Sequence, residues 1–296
     1  MNHPESGSKN RYTTPYWVLT IGVVGVSTGA LFVRLADAPA LVTAAYRLGI
    51  ALLCILPFAY WKARAEIFSL THRQSLFGIL AGFFLALHFA SWISSLDYTS
   101  VANSVVLVNT IPLWVAILTH LVTKEKVKAH TWMAILLALI GAFILCGDSF
   151  SINQGALRGD GLATAGAFFA AIYILLGRNL RSRLSLLAYV TICYGSATFF
   201  LWMAVIASGQ ATTGFSNETW WAFLGLALLS QLLGHTSYNW ALKWVGASMV
   251  AIALLGEPVG AVILAWLFLE ETLTWQKALG GAIILYGIYH GSRKPS

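Results

Sequence analysis

Residues 101–125, VANSVVLVNTIPLWVAILTHLVTKE, return 146 positions later as residues 247–271, ASMVAIALLGEPVGAVILAWLFLEE. Pro112 falls on Pro258, Ile117 and Leu118 on Ile263 and Leu264, Leu121 on Leu267, and Glu125 on Glu271. The same offset carries Ser91 onto Ser237, Leu96 onto Leu242 and Gly141 onto Gly287. Each copy is an apolar run of about twenty residues, a length that crosses the roughly 30 Å hydrocarbon core of a bilayer as a helix. A proline inside such a run removes a backbone hydrogen bond, so each copy reads as a membrane helix bent at its proline and closed by a glutamate.

Ten apolar runs follow the first sixteen residues, at 17–34, 40–61, 75–96, 101–122, 131–147, 161–177, 185–207, 220–242, 248–269 and 275–290. With 58% hydrophobic and 10% charged residues, a 296-residue chain lacks the polar surface that water requires, which makes the lipid bilayer its expected partner. A net charge of +7 raises the question of nucleic acid. A nucleic-acid binder gathers its basic residues on one face, whereas these lie between apolar runs, so no nucleic-acid partner is expected. Residues 1–16 and 291–296 read as polar tails, the first disordered. A cleaved signal peptide over the first run is disfavoured, because no convincing small-x-small site follows. Cys54, Cys146 and Cys193 are too widely spaced for a metal site and read as packing residues.

Orientation follows from the basic residues in the connections. The tails and the loops after even-numbered runs hold fourteen Lys and Arg, the loops after odd-numbered runs hold three (Arg34, Arg158 and Lys277), and Arg47 alone lies within a run. Both termini are therefore expected on the cytoplasmic side. Since the offset maps runs three to five onto eight to ten, each half holds five helices. Five is odd, so the halves, 17–147 and 161–290, should be inverted repeats about an axis in the membrane plane. The expected fold is all-α and polytopic, with ten transmembrane helices around a central cavity. Runs one and six do not align without a gap.

Polar side chains in hydrocarbon need a partner or a water-filled cavity. Gln231, His235, Tyr238 and Asn239 stand at i, i+4, i+7 and i+8 on one helical face. His88, Ser91, Trp92 and Ser95 make an equivalent stripe on run three, with Trp92 the repeat mate of Tyr238; Asn103, Thr110 and Trp114 make a third on run four. Such residues also serve as glue between helices. Sharing a face on repeat-related helices favours a common cavity, in which Trp92, Trp114, Tyr173 and Tyr238 would stack a flat solute while Asn103, Gln231 and Asn239 grip its amino and carboxylate groups. Trp17, Trp61, Trp132, Trp220, Trp221 and Trp275 lie at run ends and fit an interfacial belt. Trp240 does not.

Two ionisable residues stand apart. Arg47 either snorkels or pairs with a helix carbonyl, in a structural or gating role. Glu257, immediately before Pro258, is either a proton carrier or an acid that satisfies the broken helix. HExxH, Cys-x-x-Cys, GxSxG and phosphate-loop motifs are absent from the sequence. No enzyme activity, catalytic residue, metal or cofactor is expected.

Ten runs in two halves, the pairs Pro112 with Glu125 and Glu257-Pro258 with Glu271, and Arg47 within TAAYRLGIA resemble the drug/metabolite transporter superfamily, EamA type. The stretch SWISSLDYTSVANSVVLVNTIPLW looks most like the bacterial aromatic amino acid exporters. That resemblance implies a basket of helices one to four and six to nine around the cavity, with five and ten outside it. It also implies export of aromatic amino acids and related small metabolites across the bacterial inner membrane, with uniport and proton-coupled exchange both open; a monomer is expected. Within the superfamily a broad drug or polar-metabolite exporter is the alternative, and a channel the rival outside it. Pro112 and Pro258 are the expected hinges, with Arg47 and Glu257 the gating or coupling residues.

Overall fold

The computed structural model describes residues 9–124, 127–147, 156–268 and 272–293, so Glu125 and Glu271 lie outside the described residues. Everything regular among the described residues is helical. In chain order come α1 (Lys9–Ser27), α2 (Gly29–Leu35), α3 (Ala40–Lys62), α4 (Arg64–Phe68), α5 (His72–Ser95), α6 (Val101–Val108), α7 (Ile111–Thr123), α8 (Ala129–Cys146), α9 (Leu157–Arg181) and α10 (Leu186–Ser208). Then α11 (Asn217–Gly225) runs into a π-helical segment, Leu226–His235, and on into α12 (Thr236–Ala241); α13 (Ala247–Leu254), α14 (Glu257–Phe268) and α15 (Trp275–Ser292) complete the chain. The first helix begins at Lys9, so the expected disordered tail is helical from there.

Among the described residues, eight stretches are long and apolar enough to cross a membrane: Thr14–Leu35, Ala40–Lys62, His72–Ser95, Asn103–Val122, Ala129–Cys146, Leu157–Arg181, Leu186–Ser208 and Ala247–Phe268. The stretch from α11 to α12 and helix α15 fall outside that set. The former is interrupted by its π-helical segment, and α15 carries Gln276, Lys277 and His290.

The repeat is visible in the element boundaries. Val101–Val108 and Ala129–Cys146 return as Ala247–Leu254 and Trp275–Ser292 at the offset of 146. Between α6 and α7, and again between α13 and α14, the expected bend is a break. Pro112 and Pro258 are the second residues of α7 and α14. The first-turn N–H groups of a helix have no intrahelical acceptor, so a proline there sacrifices nothing, whereas in mid-helix it would strand a carbonyl. Thr110 closes the first break: its Oγ1 donates to the Leu107 carbonyl at 2.6 Å.

Lipid tails are as apolar as leucine, so helices in a bilayer associate through close packing of small residues. Helices α8 and α15 do so along Gly141, Gly280 and Gly287. A Cβ on Gly141 would lie 2.7 Å from the Gly280 carbonyl oxygen, and one on Gly287 3.0 Å from that of Ala134. Gly141 and Leu145 meet Gly280, while Ala134 meets Gly287 and Gly291, so the two helices run antiparallel. A second correspondence joins the first helices of each half. Gly25 of α1 rests on Gly234, where a Cβ would be 2.7 Å from the backbone nitrogen, and Gly166 of α9 rests on the His88 carbonyl. His88 and Gly234 are repeat mates, so α1 and α9 make matching contacts that sequence alone does not align.

Candidate functional site

A cavity opens between the helices, walled by Val26 of α1, by residues of α3, α5 and α9, by both broken helices, and by the stretch from His235 to Leu242. Packing of α9 on α5 and of α1 on the π-helical segment, each through glycine, brings the aromatic faces together. His235 sits at the centre. Its ring centroid is 5.1 Å from Phe89, 6.2 Å from Tyr238, 6.3 Å from His88 and 6.4 Å from Tyr173. Trp92 lies parallel to His88 at 6.3 Å and 6°. The His88 Nδ1 donates to the Gly166 carbonyl at 2.9 Å, since a carbonyl only accepts.

Arg47 is 1% exposed. Its Nε donates to the Gln231 Oε1 at 2.9 Å, and the guanidinium carbon stands 4.0 Å over the Phe89 ring. It neither snorkels nor pairs with a helix carbonyl, because a side-chain amide and an aromatic face within reach satisfy part of its charge. Glu257 opens α14 and lines the same cavity, and its main-chain carbonyl accepts from Ser27 Oγ at 3.1 Å.

A hydrogen-bonded chain backs the cavity. The Tyr173 hydroxyl donates to Asn239 Oδ1 at 2.7 Å, and Asn239 Nδ2 donates to the Tyr194 hydroxyl at 3.1 Å. Tyr194 in turn meets Thr236 Oγ1 at 3.1 Å, and Thr236 donates to the Gln231 carbonyl at 3.2 Å. Asn239 therefore has both ends of its amide committed to protein, and Gln231 has its oxygen committed to Arg47. Asn239 positions the wall and is not free to grip a solute, while Gln231 keeps an unpartnered Nε2 but lies off the cavity wall.

His88, Trp92, Tyr173, His235, Tyr238 and Asn239 line the cavity, together with Arg47 and Glu257. Asn103, Thr110, Trp114 and Gln231 do not. The break after Val108 ends the helical phase that placed Asn103, Thr110 and Trp114 on one stripe. Asn103 instead donates to Asp160 Oδ1 at 3.2 Å beside the Ser100 cap of α6. Trp114 packs edge-on against Phe168 at 5.3 Å. Pro112 lies off the cavity wall, as does Pro258, each next to a wall residue, Ile111 and Glu257. Ser95 is likewise turned aside, bonded to Ser104 at 2.7 Å. Trp240 is half-buried against Trp244, 5.8 Å away, outside the cavity wall.

Phe89, Tyr194 and Thr236 were not singled out by the sequence. Phe89 shares a helical face with Trp92 three positions on, a usable signal. Tyr194 and Thr236 gave none, because their partners come from other helices.

The sequence profile of the EamA-like transporter family matches residues 13–147 and, a second time, residues 157–290. The chain belongs to the EamA-like transporter family. An uncharacterized transporter of Archaeoglobus fulgidus is 25% identical to this EamA-like chain over 275 residues, covering 91% of the chain and 93% of the relative. The uncharacterized transporter YoaV of Bacillus subtilis is 26% identical over 202 residues, 66% of the chain and 67% of the relative. A solved crystal structure shares the fold with a TM-score of 0.78 at 16% identity, over 94% of this chain and 96% of that one. As an EamA-like protein, the chain is a multi-pass membrane transporter.

Proposed function

We propose that this transporter exports aromatic amino acids and related small metabolites by alternating access at the His235 cavity. The observation that carries this reading is the cage of rings around His235, which offers π-faces to a flat solute. On this reading α11 to α12 and α15 also span the bilayer, giving ten spans in two inverted five-helix repeats, 17–147 and 161–290. Both termini then face the cytoplasm of a bacterial inner membrane, in keeping with the fourteen to three division of basic residues. The protein works as a monomer with the solute between its halves.

Purified protein in liposomes should give saturable tryptophan or phenylalanine flux that Trp92→Ala or Tyr238→Ala reduces. Unchanged flux in both variants would remove the ring cage from the mechanism. The second reading is a broad drug or polar-metabolite exporter, and the apolar wall residues Val26, Val108, Ile111 and Ile174 favour apolar drugs within it. Competition among aromatic, aliphatic and cationic solutes separates the two. Flux without saturation would mark a channel.

A further inference from the structure

The cavity carries one strong base and one acid, each only partly satisfied. Arg47 spends its Nε on Gln231, while neither of its Nη groups has an acceptor among the described residues. The Glu257 carboxylate also lacks a hydrogen-bond or ion-pair partner among the described residues: Arg47 attracts it across the cavity without touching it. Both line the same cavity. Two further donors there are buried without a partner, Trp92 Nε1 and Tyr238 Oη, and they are repeat mates. A bare charge or donor in a membrane interior costs several kcal/mol unless something arrives to pair with it.

We propose that Arg47 and Glu257 are the two halves of a receptor for a zwitterionic head, Arg47 taking the α-carboxylate and Glu257 the α-ammonium of the solute. This rests on the transport reading above and deepens it. The guanidinium presents a planar fork that matches a carboxylate, and its fixed place over Phe89 aims that fork rather than leaving it to swing. The ammonium donates to a carboxylate, so Glu257 answers it in kind. Trp92 Nε1 and Tyr238 Oη, the other unpartnered groups of the wall, are left to meet the same polar head, while the solute's ring lies against the aromatic cage. Asn239, whose chemistry would otherwise suit this task, is committed to protein at both ends of its amide, and Gln231, with its Oε1 on Arg47, lies off the cavity wall. Substrates are thereby selected by carrying both charges on one carbon, and an amine or an acid with the same ring satisfies only one of the two groups.

Equilibrium binding of labelled L-tryptophan to the full purified chain tests this, with L-tryptophan, tryptamine (no carboxylate) and indole-3-propionate (no ammonium) as competitors. The native chain should bind tryptophan about tenfold or more tightly than either analogue. Glu257→Gln should abolish the disadvantage of indole-3-propionate and keep that of tryptamine. Arg47→Gln should do the reverse, and Arg47→Lys, which keeps the charge, should retain part of the preference if the glutamine variant fails to fold. Equal competition by all three ligands in the native chain, or no tryptophan binding, would overturn the assignment. Flux in liposomes, measured alongside, keeps the two readings apart. Head-group selectivity without flux would leave the receptor standing and remove transport of this solute. Saturable flux without selectivity would do the opposite.

Discussion

Gly141 and Gly287 are repeat mates, and each presses on the copy of the other's neighbours. Gly141 faces Gly280 and Ile284, while Gly287 faces Ala134 and Ala138, the residues 146 positions before Gly280 and Ile284. Such reciprocity is what a two-fold axis between α8 and α15 produces. The absence of side chains at these points lets two antiparallel backbones touch.

That contact is sensitive to a single methyl group. Gly141→Ala should cost about 1–3 kcal/mol by overpacking, and more than Gly287→Ala, because its Cβ would stand 2.7 Å from a backbone oxygen against 3.0 Å. Gly161→Ala in α9, with nothing within 4 Å of the new atom, should be neutral or slightly stabilising. Thermal melting in detergent reads all three.

Tyr173→Phe keeps the ring in the cage and removes the donor to Asn239. The buried amide oxygen left unpaired should lower stability by about 1–3 kcal/mol. Melting of the variant beside Asn239→Leu, which removes both hydrogen bonds that the Asn239 amide makes, would show how far the two losses overlap.

Asn103→Ala should behave as a structural change. It removes the bond to Asp160 that ties α6 to α9, so a loss of about 1 kcal/mol is expected. Competition profiles in liposomes should be unaltered, and a changed order of preferred solutes would return Asn103 to the site.

Pro112→Ala and Pro258→Ala should each change stability by about 1 kcal/mol or less, since both prolines sit in a first turn. Initial transport rates should fall unequally, because only the second break carries a wall acid, Glu257. Equal slowing would mean that the two breaks flex alike.

Much of the architecture was legible in residue order. Helical runs, the repeat and the pairing of Trp92 with Tyr238 followed from spacing, because a helix of fixed pitch repeats its faces. The stripe on run four misled, since its phase assumed one continuous helix where the chain stops after Val108 and restarts at Ile111. The amides misled differently: Asn239 has the chemistry to hold a solute, and only the approach of Tyr173 and Tyr194 shows that it is already engaged.

Sequence by itself determined that this chain belongs in a bilayer, that its halves repeat, and which residue types had to be reconciled with hydrocarbon. Tertiary structure decided which of them share a cavity and which are already satisfied. The reason is physical: apolar length and helical period are local properties, carried by neighbours in the chain. Whether Arg47 ends on Gln231 and Phe89, or the Glu257 carboxylate stands without a hydrogen bond, depends on helices far apart in sequence meeting at glycines that admit backbone contact.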